Sequence, residues 1–259
     1  AIRALPEWDE LTVGAGAAPL VWFDANRERY YSHIGVSYAP DGFAYDSMLN
    51  YPAPWQAGAL PLGNTLGQYQ HYAFTGTPWA KSGAVSSSHL TSTSPAVTVF
   101  AICKHSTVAA KQFFLAAGAE SAGGAMGLGV TADNFYRVYT GNTDEPAACK
   151  IVENNPANTW RSICTTWQDD TTPPNSNYKN YVNGAFVNQS VVAAPYAQNY
   201  AGGVVSLGAA PAGSFISNPA NALANCHIAH ALIIPATLSA GQVAAVHNLL
   251  GYQYGLAVV

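Results

Sequence analysis

Short apolar runs alternate with polar turns along most of the chain, and one amphipathic stretch stands near its end. Leu20 to Phe23 form a brief apolar run closed by Asp24 and Asn26. Residues 36–95 are rich in Gly, Pro, Ser, Thr and Tyr, a composition of loops and short strands. Residues 96–103 are apolar on both alternating faces, which predicts a strand covered from two sides. Residues 135–140 and 160–167 are β-branched and aromatic and read as further strands. Asn183-Gly184 separates two apolar segments and supplies the two positive-φ positions of a type I′ turn, so a tight hairpin is expected there. Residues 226–234 form one more nearly continuous apolar strand.

The period then changes. Ser239 is a candidate N-cap, and Gln242 three positions on completes a capping box. Leu238, Val243, Val246, Leu249 and Leu250 share one helical face, with Gly251 or Gly255 available to end the helix. Many short strands followed by one late helix predict a β-sandwich with a helical appendage. Residues 1–18 end in small residues before Pro19 and read as an arm or linker.

Several phrases together carry a family likeness. They are residues 19–25, residues 71–77, the strand at 97–104, Trp160 to Trp167, and the Asn-Gly hairpin at 181–187. Residues 205–208 follow, then the strand at 227–235, the helix, and the closing 252–255. In order and spacing the stretch 19–259 resembles the concanavalin A-like jelly rolls, LamG-like domains in particular. The resemblance implies an all-β fold, a jelly-roll sandwich of two antiparallel sheets with one short helix in the C-terminal region and a terminal strand. It does not select a function, because the fold carries lectins, adhesion modules, glycosidases and phage structural proteins. Residues 23–31 also resemble the opening of LamG-like modules in phage tail and capsid-associated proteins. The first ten residues lack the pattern of a signal peptide, and Ala1 is a residue that methionine removal exposes. Both fit that resemblance.

Composition narrows the partners. Only 9% of the residues are charged, against about 25% in an ordinary soluble domain, while 12% are aromatic. That aromatic content excludes disorder as a whole-chain description. The net charge is −4 and the ten basic residues are scattered, so nucleic acid is not an expected partner. No apolar run reaches the roughly 20 residues of a membrane span, and membrane insertion is not expected. A surface poor in charge suits packing against neighbouring subunits. Ile2, Leu5, Trp8 and Leu11 would let the arm lie across one. Cys103, Cys149, Cys164 and Cys226 contain no CxxC pair, so buried free thiols are expected, with one disulfide as the alternative.

Candidate chemistry is sparse. The glucanases of the resembled fold carry Glu-x-Asp-x-x-Glu on one strand; here Glu7-Trp8-Asp9 starts the pattern and Thr12 breaks it. Residues 96–103 and 160–167 hold no carboxylate, so the paired acids of glycoside hydrolysis are missing from both. A lyase, which can work with Tyr, His and Arg, is compatible with these residues. No Gly-x-Ser-x-Gly phrase marks a nucleophilic serine. His227 and His230 are expected on opposite faces of their strand, and Cys226 and His230 on one face about 13 Å apart, too far for one metal. No cofactor is required. Calcium is the one these residues could hold, at Asp24 with Asn26, Asp133 with Asn134, or Asp169 with Asp170.

Aromatic platforms beside polar tips are what glycan binding needs. The candidates are Trp55, His71, Trp79, Arg137, Tyr139 and Tyr178; Tyr136 alternates with Arg137 and cannot line the same groove. The expected function is a non-enzymatic structural and adhesive protein of a phage virion surface. Its expected partners are other virion subunits, further copies of itself and a cell-surface glycan. The alternative is a secreted lectin or polysaccharide-active enzyme.

Overall fold

The computed structural model describes residues 16–25, 43–44, 53–57, 62–65, 69–75, 79–84, 96–106, 112–118, 125–131, 135–140, 151, 157–171, 174–193, 203–209 and 224–259. Two antiparallel sheets pack face to face, as the sequence predicts. The first contains β1 (Val21–Asp24), β4 (Leu62–Thr65), β5 (Tyr69–Thr75), β7 (Val97–His105), β11 (Arg161–Thr171), β12 (Pro174–Val182), β13 (Ala185–Ala193) and β15 (Ala224–Ile234). Its order is β13-β12-β11-β7-β15-β5-β4, with β1 also pairing β15. The second contains β2 (Phe43–Ala44), β3 (Ala53–Ala57), β6 (Trp79–Ala84), β8 (Gln112–Gly118), β9 (Ala125–Val130), β10 (Tyr136–Thr140) and β14 (Val204–Leu207), in the order β10-β9-β8-β14-β6-β3-β2.

The middle of the eight-stranded sheet is buried on both sides, which explains the continuous apolar runs of β7 and β15. On its inner side Phe23, Tyr72, Phe74, Ile163 and Trp167 pack with Phe114, Leu128 and Tyr136 of the other sheet. On its outer side Trp22, Phe100, Ile102 and Leu232 pack under α1 (Ala240–Gly251). Both bonds of the predicted capping box form: Gln242 N–H donates to the Ser239 hydroxyl, and Ser239 N–H to Gln242 Oε1. Val243, Val246 and Leu250 are buried beneath the helix, while Leu249 is half-buried. Asn183 and Gly184 both have positive φ, 49° and 77°, as the predicted hairpin turn requires.

Two features differ from expectation. The terminal strand that the resemblance implies does not form among the described residues: Tyr252–Tyr254 make a 3-10 turn that Gly255 closes at φ 74°. The last residues are held against α1, where Asn248 bonds both the N–H and the carbonyl of Val259. The end of the predicted arm is already part of the fold, since Ala17 packs against the outer cluster. Among the described residues no helix is long and apolar enough to cross a membrane.

Candidate functional site

The outer face of the eight-stranded sheet carries a patch that α1 does not cover, built by β5, β7, β15 and the residue just before β11. His227 of β15 stands directly across from Lys104 of β7 on one side and Ala73 of β5 on the other. His71 lies diagonally beyond, its ring 4.6 Å from that of His227 and edge-on to it. Trp160 closes the patch at 5.5 Å from His71 and 6.3 Å from His227. Lys104 Nζ lies 5.4 Å from the centre of the Trp160 ring, within cation–π range. His71 is buried; Lys104, Trp160 and His227 are half-exposed.

Supporting contacts fix this arrangement. Trp160 packs at 4.8 Å on Tyr254 of the 3-10 turn, whose hydroxyl donates to the Gln70 carbonyl at 2.5 Å. The loop before Trp160 is held by Asn158, in the left-handed region at φ 62°, donating its N–H to the His105 carbonyl. Tyr254 also touches His230 at 5.8 Å, and His230 Nδ1 lies 3.4 Å from Asp24 Oδ1.

A register shift brings the two histidines of β15 to the same side, contrary to the expectation from strict alternation. β15 is irregular between Ile228 and His230. Ile228 and Ala231 both point into the core, so Ala229 and His230 lie together on the outer side. His227 therefore shares the outer face with His230, while Cys226, beside Ile228 in the core, does not. One extra residue inverts the parity of everything beyond it.

Burial holds His71 and His227 near a pKa of about 4, with Lys104 lowering both further and His227 adding to the effect on His71. At neutral pH each ring is therefore uncharged and can both donate and accept a hydrogen bond. His227 Nδ1 is buried and has no hydrogen-bond partner among the described residues. The patch thus offers an aromatic face, one ammonium and imidazole nitrogens. Among the described residues Asp24 is the carboxylate that meets this network, through His230, and glycosidic hydrolysis needs two placed across a bond.

A laminin G-type family model, described as the concanavalin A-like lectin/glucanases superfamily, matches residues 75–244. The chain belongs to this superfamily. No curated protein sequence matches it. Among solved structures it is similar to domain 4 of AbnA, an extracellular arabinanase of Geobacillus stearothermophilus, in complex with arabinotriose. That likeness has 14% identity and a TM-score of 0.58, over 90% of this chain and 98% of that domain. It is also similar to a Trypanosoma rangeli sialidase, at 13% identity and a TM-score of 0.55, over 92% of this chain but 33% of the sialidase. A botulinum neurotoxin type C structure, concerned with two ganglioside molecules, matches at 13% and 0.54, over 79% of this chain and 47% of that one. The chain thus spans one whole arabinanase domain and less than half of the other two.

In this concanavalin A-like fold the predicted site residues scatter. His71 is in the patch. Tyr178 is not at any surface: it is 1% exposed and stacks on Trp167 at 5.5 Å inside the sandwich, which corrects its assignment to glycan binding. Trp55 pairs with Ala80, Trp79 with Ala57, Arg137 with Gly129 and Tyr139 with Gly127. The side chains of those four lie outside the described residues. Arg137 and Tyr139 do alternate with the buried Tyr136 and Val138, and face glycines across the ladder. Asp24 meets His230, while its proposed calcium partner Asn26 lies outside the described residues, as do Asp133, Asn134, Ile2, Leu5, Trp8 and Leu11. Asp169 and Asp170 are placed only as backbone of β11, opposite Ser176 and Asn175. Among the described residues no cluster of three His, Cys, Asp or Glu could hold a metal.

Sequence reasoning missed Lys104 and Trp160 as site residues. Both fall within strand phrases of the sequence, and only the pairing of β7 with β15 and β11 assembles them.

Two buried polar pairs tie the fold together rather than line the patch. Ser162 Oγ and His247 Nδ1 are 2.7 Å apart, and the Ala257 carbonyl accepts from His247 Nε2. Ser162 is 1% exposed, so no substrate reaches it; the pair ties α1 and the C-terminal residues to β11. Inside the sandwich Tyr136 and His105 Nδ1 are hydrogen-bonded at 2.9 Å, and burial holds His105 near a pKa of about 4. Cys103, Cys164 and Cys226 are buried thiols rather than disulfide partners, and burial raises each thiol pKa, to about 12 for Cys226. Cys103 faces the core and Cys164 the outer cluster, so the sheet itself separates them. Cys149 lies outside the described residues.

Proposed function

We propose that this domain is a non-enzymatic carbohydrate-binding module used for adhesion. The observation that supports this reading is the half-exposed Trp160 ring flanked by Lys104, His71 and His227. A sugar's C–H face stacks on such a ring, and its hydroxyls meet neutral imidazole nitrogens. The likeness to an arabinanase domain holding arabinotriose supports the same class. The proposal leaves catalysis out: among the described residues the one carboxylate that meets the patch is engaged with His230, and it does not make an acid and a nucleophile. The domain is expected to give discrete signals on an immobilised glycan array, and Trp160→Ala to remove them. Trp160→Phe, which keeps a ring over Tyr254, is expected to retain part of the binding. A wild-type protein that binds no glycan overturns the reading.

The wider setting we propose is a phage virion surface, with residues 1–18 joining the domain to other subunits and calcium as an optional ligand. Its support is the phage-type opening phrase and the low charge of the chain. Light scattering is expected to show a defined oligomer that dissociates when residues 1–18 are removed. A monomer unaffected by truncation favours a secreted lectin instead.

A further inference from the structure

We infer that the Trp160 patch selects acidic saccharides: a sugar ring stacked on Trp160 places its carboxylate, as in a uronate or a sialate, on the Lys104 ammonium. This rests on the reading of the patch as a saccharide site.

Three observations carry it. Lys104 has no carboxylate within ion-pair distance among the described residues, and its ammonium rests over Trp160. That cation therefore caps part of the ring face that a sugar would share, rather than being spent on a structural ion pair. Trp160 is held from behind by Tyr254 and from the side by His71, so one face is fixed in orientation before any ligand arrives. His227 sits directly across the ladder from Lys104, and its Nδ1 lacks a partner among the described residues. The half-exposed ring edge of His227 borders the ligand position, while Nδ1 itself is buried.

The arrangement also discriminates. Among the described residues, the carboxylate of Asp24 lies against His230, which Tyr254 contacts on its own side of Trp160. A neutral sugar would gain only the stacking and hydrogen bonds. An acidic one adds a charge-assisted bond in a partly desolvated place, where such bonds are stronger than in water. A basic sugar would meet Lys104 as a like charge.

The test compares uronate- and sialate-bearing oligosaccharides with the same compounds methyl-esterified, on an array and by titration calorimetry. The acids are expected to bind at least ten-fold tighter than their esters. Lys104→Met, which keeps the aliphatic stem on Trp160, is expected to erase that difference without abolishing stacking. His227→Gln is expected to weaken acid and ester alike. Melting curves of both variants check that they fold. Acid and ester bound equally, or neutral glycans alone bound, would overturn the acidic preference and leave the saccharide site standing. Acid binding unchanged in Trp160→Phe and Trp160→Ala would mean diffuse ionic attraction and would also overturn it. No binding of any saccharide overturns both readings.

Discussion

Tyr178→Ala is expected to destabilise the protein by about 3–5 kcal/mol and to lower Tm by roughly 10 °C or more. The ring is 1% exposed and stacks on Trp167 with the planes 29° apart, so truncation opens a cavity between β11 and β12 that rigid neighbours cannot fill. Tyr178→Phe keeps the ring and is expected to cost much less. Glycan binding, measured below the melting range of the variant, is expected to persist. The opposite pattern, with Tm unchanged and binding lost, would return Tyr178 to a surface groove and refute its place in the core.

Acid is expected to have a comparable effect. His71, His105 and His227 are held near pKa values of about 4, with burial as the largest cause in each, and burial also lowers His247. An unfolded chain takes up these protons near pH 6.5, whereas the folded chain resists until about pH 4. Stability is therefore fully present above about pH 6.5 and is lost progressively as the pH falls toward 4. Half-exposed His227 keeps some water and contributes less than a dry site would. Together the groups give a loss on the order of 5 kcal/mol, or about 10–20 °C in Tm, between pH 7 and pH 4. Calorimetry across that range checks it. The His71→Gln, His227→Gln double variant is expected to flatten the curve. A Tm independent of pH in the wild type would show that these histidines are as well solvated folded as unfolded.

The sequence was legible wherever a local rule decides conformation. The Asn183-Gly184 turn needs two positive φ angles, and those residue types tolerate them. The Ser239 to Gln242 box satisfies amide groups that any helix start leaves open. The apolar runs of β7 and β15 are long because the middle of the eight-stranded sheet is covered on both faces, and that pattern is visible before any pairing is known. The same rules yield a β-sandwich with one late helix, and the jelly-roll order is what the family resemblance implies.

The candidate site was not legible in the same way. Tyr178 looks, in sequence, like any aromatic on an amphipathic strand; whether it meets solvent or Trp167 depends on which face the second sheet covers. The irregularity at Ile228 to His230 reverses the alternation that a strand otherwise imposes, and no residue type announces it. Lys104 and His227 come from two strands and Trp160 from the residue before a third, all far apart in sequence, and their meeting depends on strand order and register. Sequence by itself determined the elements, because turns, caps and periodicity act over a few neighbouring residues. Tertiary structure alone decided which side chains share a face, because that follows from long-range pairing, where a one-residue shift moves a side chain to the other side of the sheet.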